Sequence, residues 1–98
     1  MIAIYRLDPL GEGRDDPRWT TSVIKERCWV RAISEASARR DVHFATWIAT
    51  EIGTAGILAS PWSDEALTSC IEDEAPGIGV PEGGVVITAS GRLISPPF

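Results

Sequence analysis

Ninety-eight residues with a net charge of −5 and 44% hydrophobic content describe one folded domain with a thin core rather than a disordered chain. An acidic chain is a poor partner for duplex nucleic acid, because phosphate neutralisation dominates that affinity, and no run approaches the roughly 18 apolar residues of a membrane helix. The charge is unevenly spread. Residues 1–40 hold eight basic and six acidic side chains, whereas 41–98 hold one basic and eight acidic. Such bipolarity either neutralises within the fold or suits a charged partner or head-to-tail association.

In chain order, IAIYRL at 2–7 reads as a strand that stops at Asp8-Pro9. Ile2 and Ile4 share one face and Tyr5 and Leu7 the other, as in a central strand covered on both sides. Residues 9–22 form a long loop, with Trp19 anchoring its end. KERCWVRAI at 25–33 is a second strand. Cys28, Val30 and Ala32 point one way, and Arg27, Trp29, Arg31 and Ile33 the other.

Ser34 is an N-cap, and Glu35 suits the first turn of a helix. That helix is expected to run to about Ile52, with Gly53 ending it. Ala38, Val42, Ala45, Ala49 and Ile52 make a narrow buried stripe, widened by Phe44 and Ile48. Arg39, Arg40, His43, Trp47 and Thr50 fall on the opposite face. A connector, 53–59, leads to Ser60-Pro61, a helix-start signal, and a short helix through Leu67. TSCIEDE at 68–74 reads as an edge strand, its acidic end resisting further pairing. A turn-rich loop at 75–84 precedes a hairpin at 85–95, with Gly91 in the left-handed position of its loop. Residues 96–98 are expected to fray.

Few side chains invite chemistry. His43 is the single histidine, and a nucleophile among Ser60, Ser63 and Cys70 needs it within hydrogen-bond reach. Glu72 and Glu74 share a strand face, but both look solvated, so they do not form an acid–base pair. Gly77, Gly79, Gly83 and Gly84 lack the following Lys-Ser/Thr and helix of a phosphate loop. Asp64, Glu65, Glu72, Asp73 and Glu74 lack calcium-loop spacing. No metal and no cofactor is expected. Without a visible export signal, Cys28 and Cys70 are expected as reduced, buried thiols in a cytoplasm.

Tryptophan is the informative residue type, with four in the chain. Trp19 and Trp62 read as core. Trp29 and Trp47 are turned away from the helix–sheet seam and are flanked by cations, and Trp and Arg are enriched at binding hot spots. Two interaction patches follow: Arg27, Trp29 and Arg31 on the sheet, and Arg40, His43 and Trp47 on the helix.

VRAISEASAR (30–39) and SPWSDEALTSC (60–70) resemble a family of small bacterial proteins, in which a strand leads into an "SExxAR" helix and an "SPWxDxxLxSC" segment follows. The resemblance implies a compact intracellular domain and no activity.

The sequence therefore predicts a single α+β domain over residues 1–98. An antiparallel or mixed sheet of about four or five strands carries one main helix on one face, in the order β-β-α-short α-β-β-β. The crossover from 33 to 68 is long enough for a right-handed β-α-β unit. The expected function is a non-enzymatic protein-interaction module, with a protein partner or a second copy in a homodimer and no membrane partner. The alternatives are a small enzyme with a Cys or Ser nucleophile near His43, and a single-stranded nucleic-acid binder using Arg27, Trp29 and Arg31.

Overall fold

The computed structural model describes residues 2–11, 16, 19, 22–47, 61–73 and 79–95. They form a five-stranded antiparallel sheet and one α-helix, an α+β fold. The strands are β1 (Ala3–Pro9), β2 (Cys28–Ala32), β3 (Thr68–Glu72), β4 (Val86–Thr88) and β5 (Leu93–Ile94), and the helix α1 (Glu35–Thr46) follows β2. The spatial order is β3-β1-β2-β4-β5. β2 and β3 are both antiparallel to β1, so they run parallel to each other with β1 between them, and α1 lies in the crossover that joins them. The crossover is thus a β-α-β unit split by an intervening strand, and β3 takes the edge position expected from its acidic end.

Register decides which side chains meet α1. Tyr5 lies opposite Val30 and Leu7 opposite Cys28 on one side, and Leu7 lies opposite Cys70 on the other. These residues, with Ala32 and Val86, form the core together with Ala38 and Val42 of the helix. The alanines and Cys28 let the helix sit close to the sheet. Leu7, Val30, Val42 and Val86 are fully buried, and each contributes about 1.5–3 kcal/mol of hydrophobic stabilisation. Leu7 separates the two cysteines by two strand spacings, about 9–10 Å. A disulfide spans at most about 7 Å between Cα atoms, and both thiols are free.

β1 runs through Asp8-Pro9 instead of stopping before it. Its ladder with β2 ends at the Leu7–Cys28 pair, so the missing proline N–H falls where β2 asks for no donor, and Pro9 lies opposite Thr68 of β3. β2 is shorter than expected, starting at Cys28. Ser34 caps α1 as expected, its hydroxyl accepting from Ser37 N–H at 3.1 Å.

The helix stops at Thr46, earlier than the periodicity predicts. The Thr46 carbonyl accepts Val23 N–H at 2.8 Å, Thr46 Oγ1 donates to the Val42 carbonyl at 2.7 Å, and Trp47 turns extended to bridge Ser22. The expected continuation through Ile48, Ala49, Thr50 and Ile52, the connector 53–59 and Ser60 lie outside the described residues. The expected short helix is a 3-10 turn, Pro61–Ser63. Asp64 then holds the chain, its side chain accepting Ala66 N–H at 2.8 Å and its carbonyl accepting Leu67 and Thr68 N–H. Trp62 is fully buried and meets buried Trp19 edge to face, ring centroids 5.1 Å apart, which makes both tryptophans core as expected. In the β4–β5 hairpin Gly91 has φ 87°, the left-handed conformation a turn there requires.

Candidate interaction surface

The sheet face away from α1 carries the first expected patch. Along it runs one cross-strand row, Ile71, Arg6, Trp29, Ile87 and Leu93, with one residue from each strand. Trp29 sits at its centre, off the helix seam as expected, but it is not open to a partner: it is only 8% exposed. Its indole N–H donates to Asp73 at 3.1 Å, and Asp73 N–H in turn bonds the Ile4 carbonyl at 2.8 Å. Arg31 donates to the carbonyl of buried Val80. β3 and β4 lie on opposite sides of the β1–β2 pair, and these bonds fasten Asp73 and Val80, on either side of residues 74–78, to this face.

The flanking cations are engaged too. Arg6 pairs with Asp8 at 3.0 Å and approaches Asp73 at 3.8 Å, and Arg27 donates to Asp8. The expected exposed Trp between two free arginines is therefore a covered indole with arginines committed to a carboxylate and a carbonyl. At Trp29 a nucleic-acid base finds little open indole face on which to stack.

The second patch is laid out differently. Trp47 is 37% exposed and Phe44 40%. His43 lies between them, its ring centroid 4.9 Å from that of Trp47 and 5.2 Å from that of Phe44. Arg40, one turn earlier, is exposed; its guanidinium donates to Ser37 Oγ at 3.3 Å and lies 4.0 Å from Asp41. Exposed Val23 is brought alongside by its bond to the Thr46 carbonyl. The early stop of α1 thus creates the patch, because it turns Trp47 out of the helix and packs 22–23 against the helix end. Partial burial holds His43 below the ordinary imidazole range and lifts the Asp41 carboxyl, since both environments disfavour the charged form.

Two α1 residues exchange roles relative to expectation. Arg39 and Phe44 lie on opposite flanks of the Ala38–Val42 stripe at about 100° per residue. The Pro61–Ser63 turn packs along the Arg39 flank, so Arg39 is buried and Phe44 is exposed. Arg39 Nη1 donates to the Trp62 carbonyl at 3.1 Å, its Nη2 lies 3.8 Å from Glu35, and its Nε has no hydrogen-bond partner among the described residues. The sequence signal for this was present in the Glu35–Arg39 i,i+4 spacing and in the i,i+3 relation of Arg39 to Val42.

Among the described residues no nucleophile is paired with His43, and Ser60 lies outside them. Cys70 lies under α1, and burial pushes its thiol up to about 11, against the lowering influence of Arg39. Cys28 is pushed up further still by burial. Among the described residues no hydrogen bond joins His43 to Cys70, Ser63 or Ser69, and the ring neighbours of His43 lie on its own helix end. Burial, and then the Glu72 carboxylate at 3.4 Å, raise the Tyr5 phenol. Glu74 lies outside the described residues. Among those described, no three His, Cys, Asp or Glu side chains gather as metal ligands, and no helix is long and apolar enough to cross a membrane. Comparison with protein-family models, with curated proteins and with solved structures finds no match for this chain.

Proposed function

We propose that this protein is a non-catalytic interaction module that engages a protein partner through the C-terminal end of α1, with Trp47, Phe44 and Val23 as the apolar contact and Arg40 and His43 beside them. One observation carries this reading: the fold buries Trp19, Trp29 and Trp62 and leaves Trp47 partly exposed, in edge contact with His43 and near exposed Phe44. Exposing a large indole forgoes the stabilisation its burial would bring, and Trp at the centre of an apolar cluster with Arg at its rim is the composition of a binding hot spot. A buried thiol at Cys70 and the absence, among the described residues, of a hydrogen bond from His43 to a nucleophile give an enzymatic reading no comparable support.

The test is a titration of a purified partner, recovered by photo-crosslinking from position 47, against wild type and Trp47→Ala. The variant is expected to bind at least about tenfold more weakly, a hot-spot loss, while keeping the circular dichroism spectrum of the wild type. Affinity indifferent to both Trp47→Ala and Phe44→Ala contradicts the reading, as does a contact mapped to another face.

A further inference from the structure

Val23 belongs to two surface features at once. Its backbone ties it to the end of α1, and its side chain lines an open depression of about 260 Å³ shared with Ile24, Lys25, Glu26 and Arg92. The carboxylate in that depression is already engaged: Ser90 Oγ donates to Glu26 at 2.8 Å, and Thr88 Oγ1 and Ser90 Oγ are hydrogen-bonded at 2.9 Å. The hydroxyls of Thr88 and Ser90 hold the Glu26 carboxyl below the ordinary range. Lys25 and Arg92 are both exposed, and neither forms an ion pair within 4 Å among the described residues. Arg92 is also the single basic residue in the otherwise acidic 41–98 half. The hairpin returns it to the side of Lys25, so a local excess of positive charge stands on a chain of net charge −5.

The geometry points to the partner being a short acidic segment with an apolar anchor: the anchor rests on Trp47, Phe44 and Val23, and carboxylates are held by Lys25 and Arg92 at the depression, with Arg40 at the far end. This rests on the docking surface proposed above and names what that surface selects. Charge complementarity favours carboxylates, and rim cations set selectivity and association rate. Size favours a segment over a second globular copy. The exposed parts of Trp47, Phe44 and Val23 offer roughly 200–300 Å² of apolar surface, well short of the about 800 Å² per partner of a stable interface.

The experiment is an NMR titration of the full chain with a short synthetic peptide of Glu with Leu and Trp at helical spacing, set against the same peptide with Lys for every Glu. The Glu peptide is expected to shift the Trp47 indole N–H and the amides of 23–26 saturably, and the Lys peptide to leave them in place. Lys25→Glu with Arg92→Glu is expected to weaken the Glu peptide about tenfold and to transfer binding to the Lys peptide. Equal binding of both peptides, lost in Trp47→Ala, overturns the acidic-segment inference and leaves the docking surface standing. Concentration-dependent self-association through the same resonances also overturns it, in favour of a second copy. Absence of any shift at Trp47 and 23–26 with either peptide overturns it together with its choice of site.

Discussion

Cys70 shows how residue type and residue environment part company. It follows a serine-rich, acidic segment that looks reactive on paper, yet it lies beneath α1 on the core face of β3, where its thiol is lifted from 9.0 to about 11. A shift of two units leaves about a hundredfold less thiolate at neutral pH, and the thiolate is the nucleophile. Iodoacetamide at pH 7.5 is therefore expected to modify the native protein about a hundredfold more slowly than a free thiol, and at the ordinary rate once urea unfolds it. Rapid labelling of native Cys70 would restore the enzymatic alternative. Arg39 makes the complementary point. It is a charge that sequence periodicity assigned to solvent, and a carbonyl at Trp62 with a carboxylate at Glu35 draw it inward.

At the scale of elements, local signals carried far. The Ser34 cap, the alternating faces of β1 and β2, the edge position of β3 and the Gly91 turn were all legible, because each depends on neighbours within a few residues or on a period of two. What was not legible depended on distant chain. The helix ends at Thr46 because Ser22 and Val23, some two dozen residues earlier, take over its backbone groups. Trp29 is buried on a face where Asp73, just after β3, and Val80, before β4, are bonded to Trp29 and Arg31, a placement set by strand order and not by the composition of either strand. Trp47 was identified as a surface residue for the right helical phase, although the helix there has already ended. The cap offers a quantitative check. Ser34→Ala is expected to cost about 1 kcal/mol in urea unfolding, through loss of the bond to Ser37 N–H. No measurable change would mean that tertiary packing alone positions the start of α1.

Taken as a whole, the molecule divides its two sheet faces between different tasks. One face packs α1 and holds the apolar core. The other carries an ionic and hydrogen-bonded network in which Arg6, Asp8, Arg27 and Asp73 surround buried Trp29, while Ile71 and Leu93 at the two ends of the row stay exposed. The centres of both faces are thereby occupied, and the exposed aromatic surface among the described residues lies at the end of the helix, with Val23 linking it to the depression that holds Lys25 and Arg92. Three tryptophans are buried in the core or sheet, and the fourth, Trp47, is partly exposed. The direct measurement is the equilibrium unfolding free energy of Trp47→Ala beside Trp62→Ala. Trp62→Ala is expected to lose about 3–5 kcal/mol as a core truncation, and Trp47→Ala less than about 1 kcal/mol. A loss at Trp47 equal to that at Trp62 would make it a core residue and contradict its assignment as the contact surface.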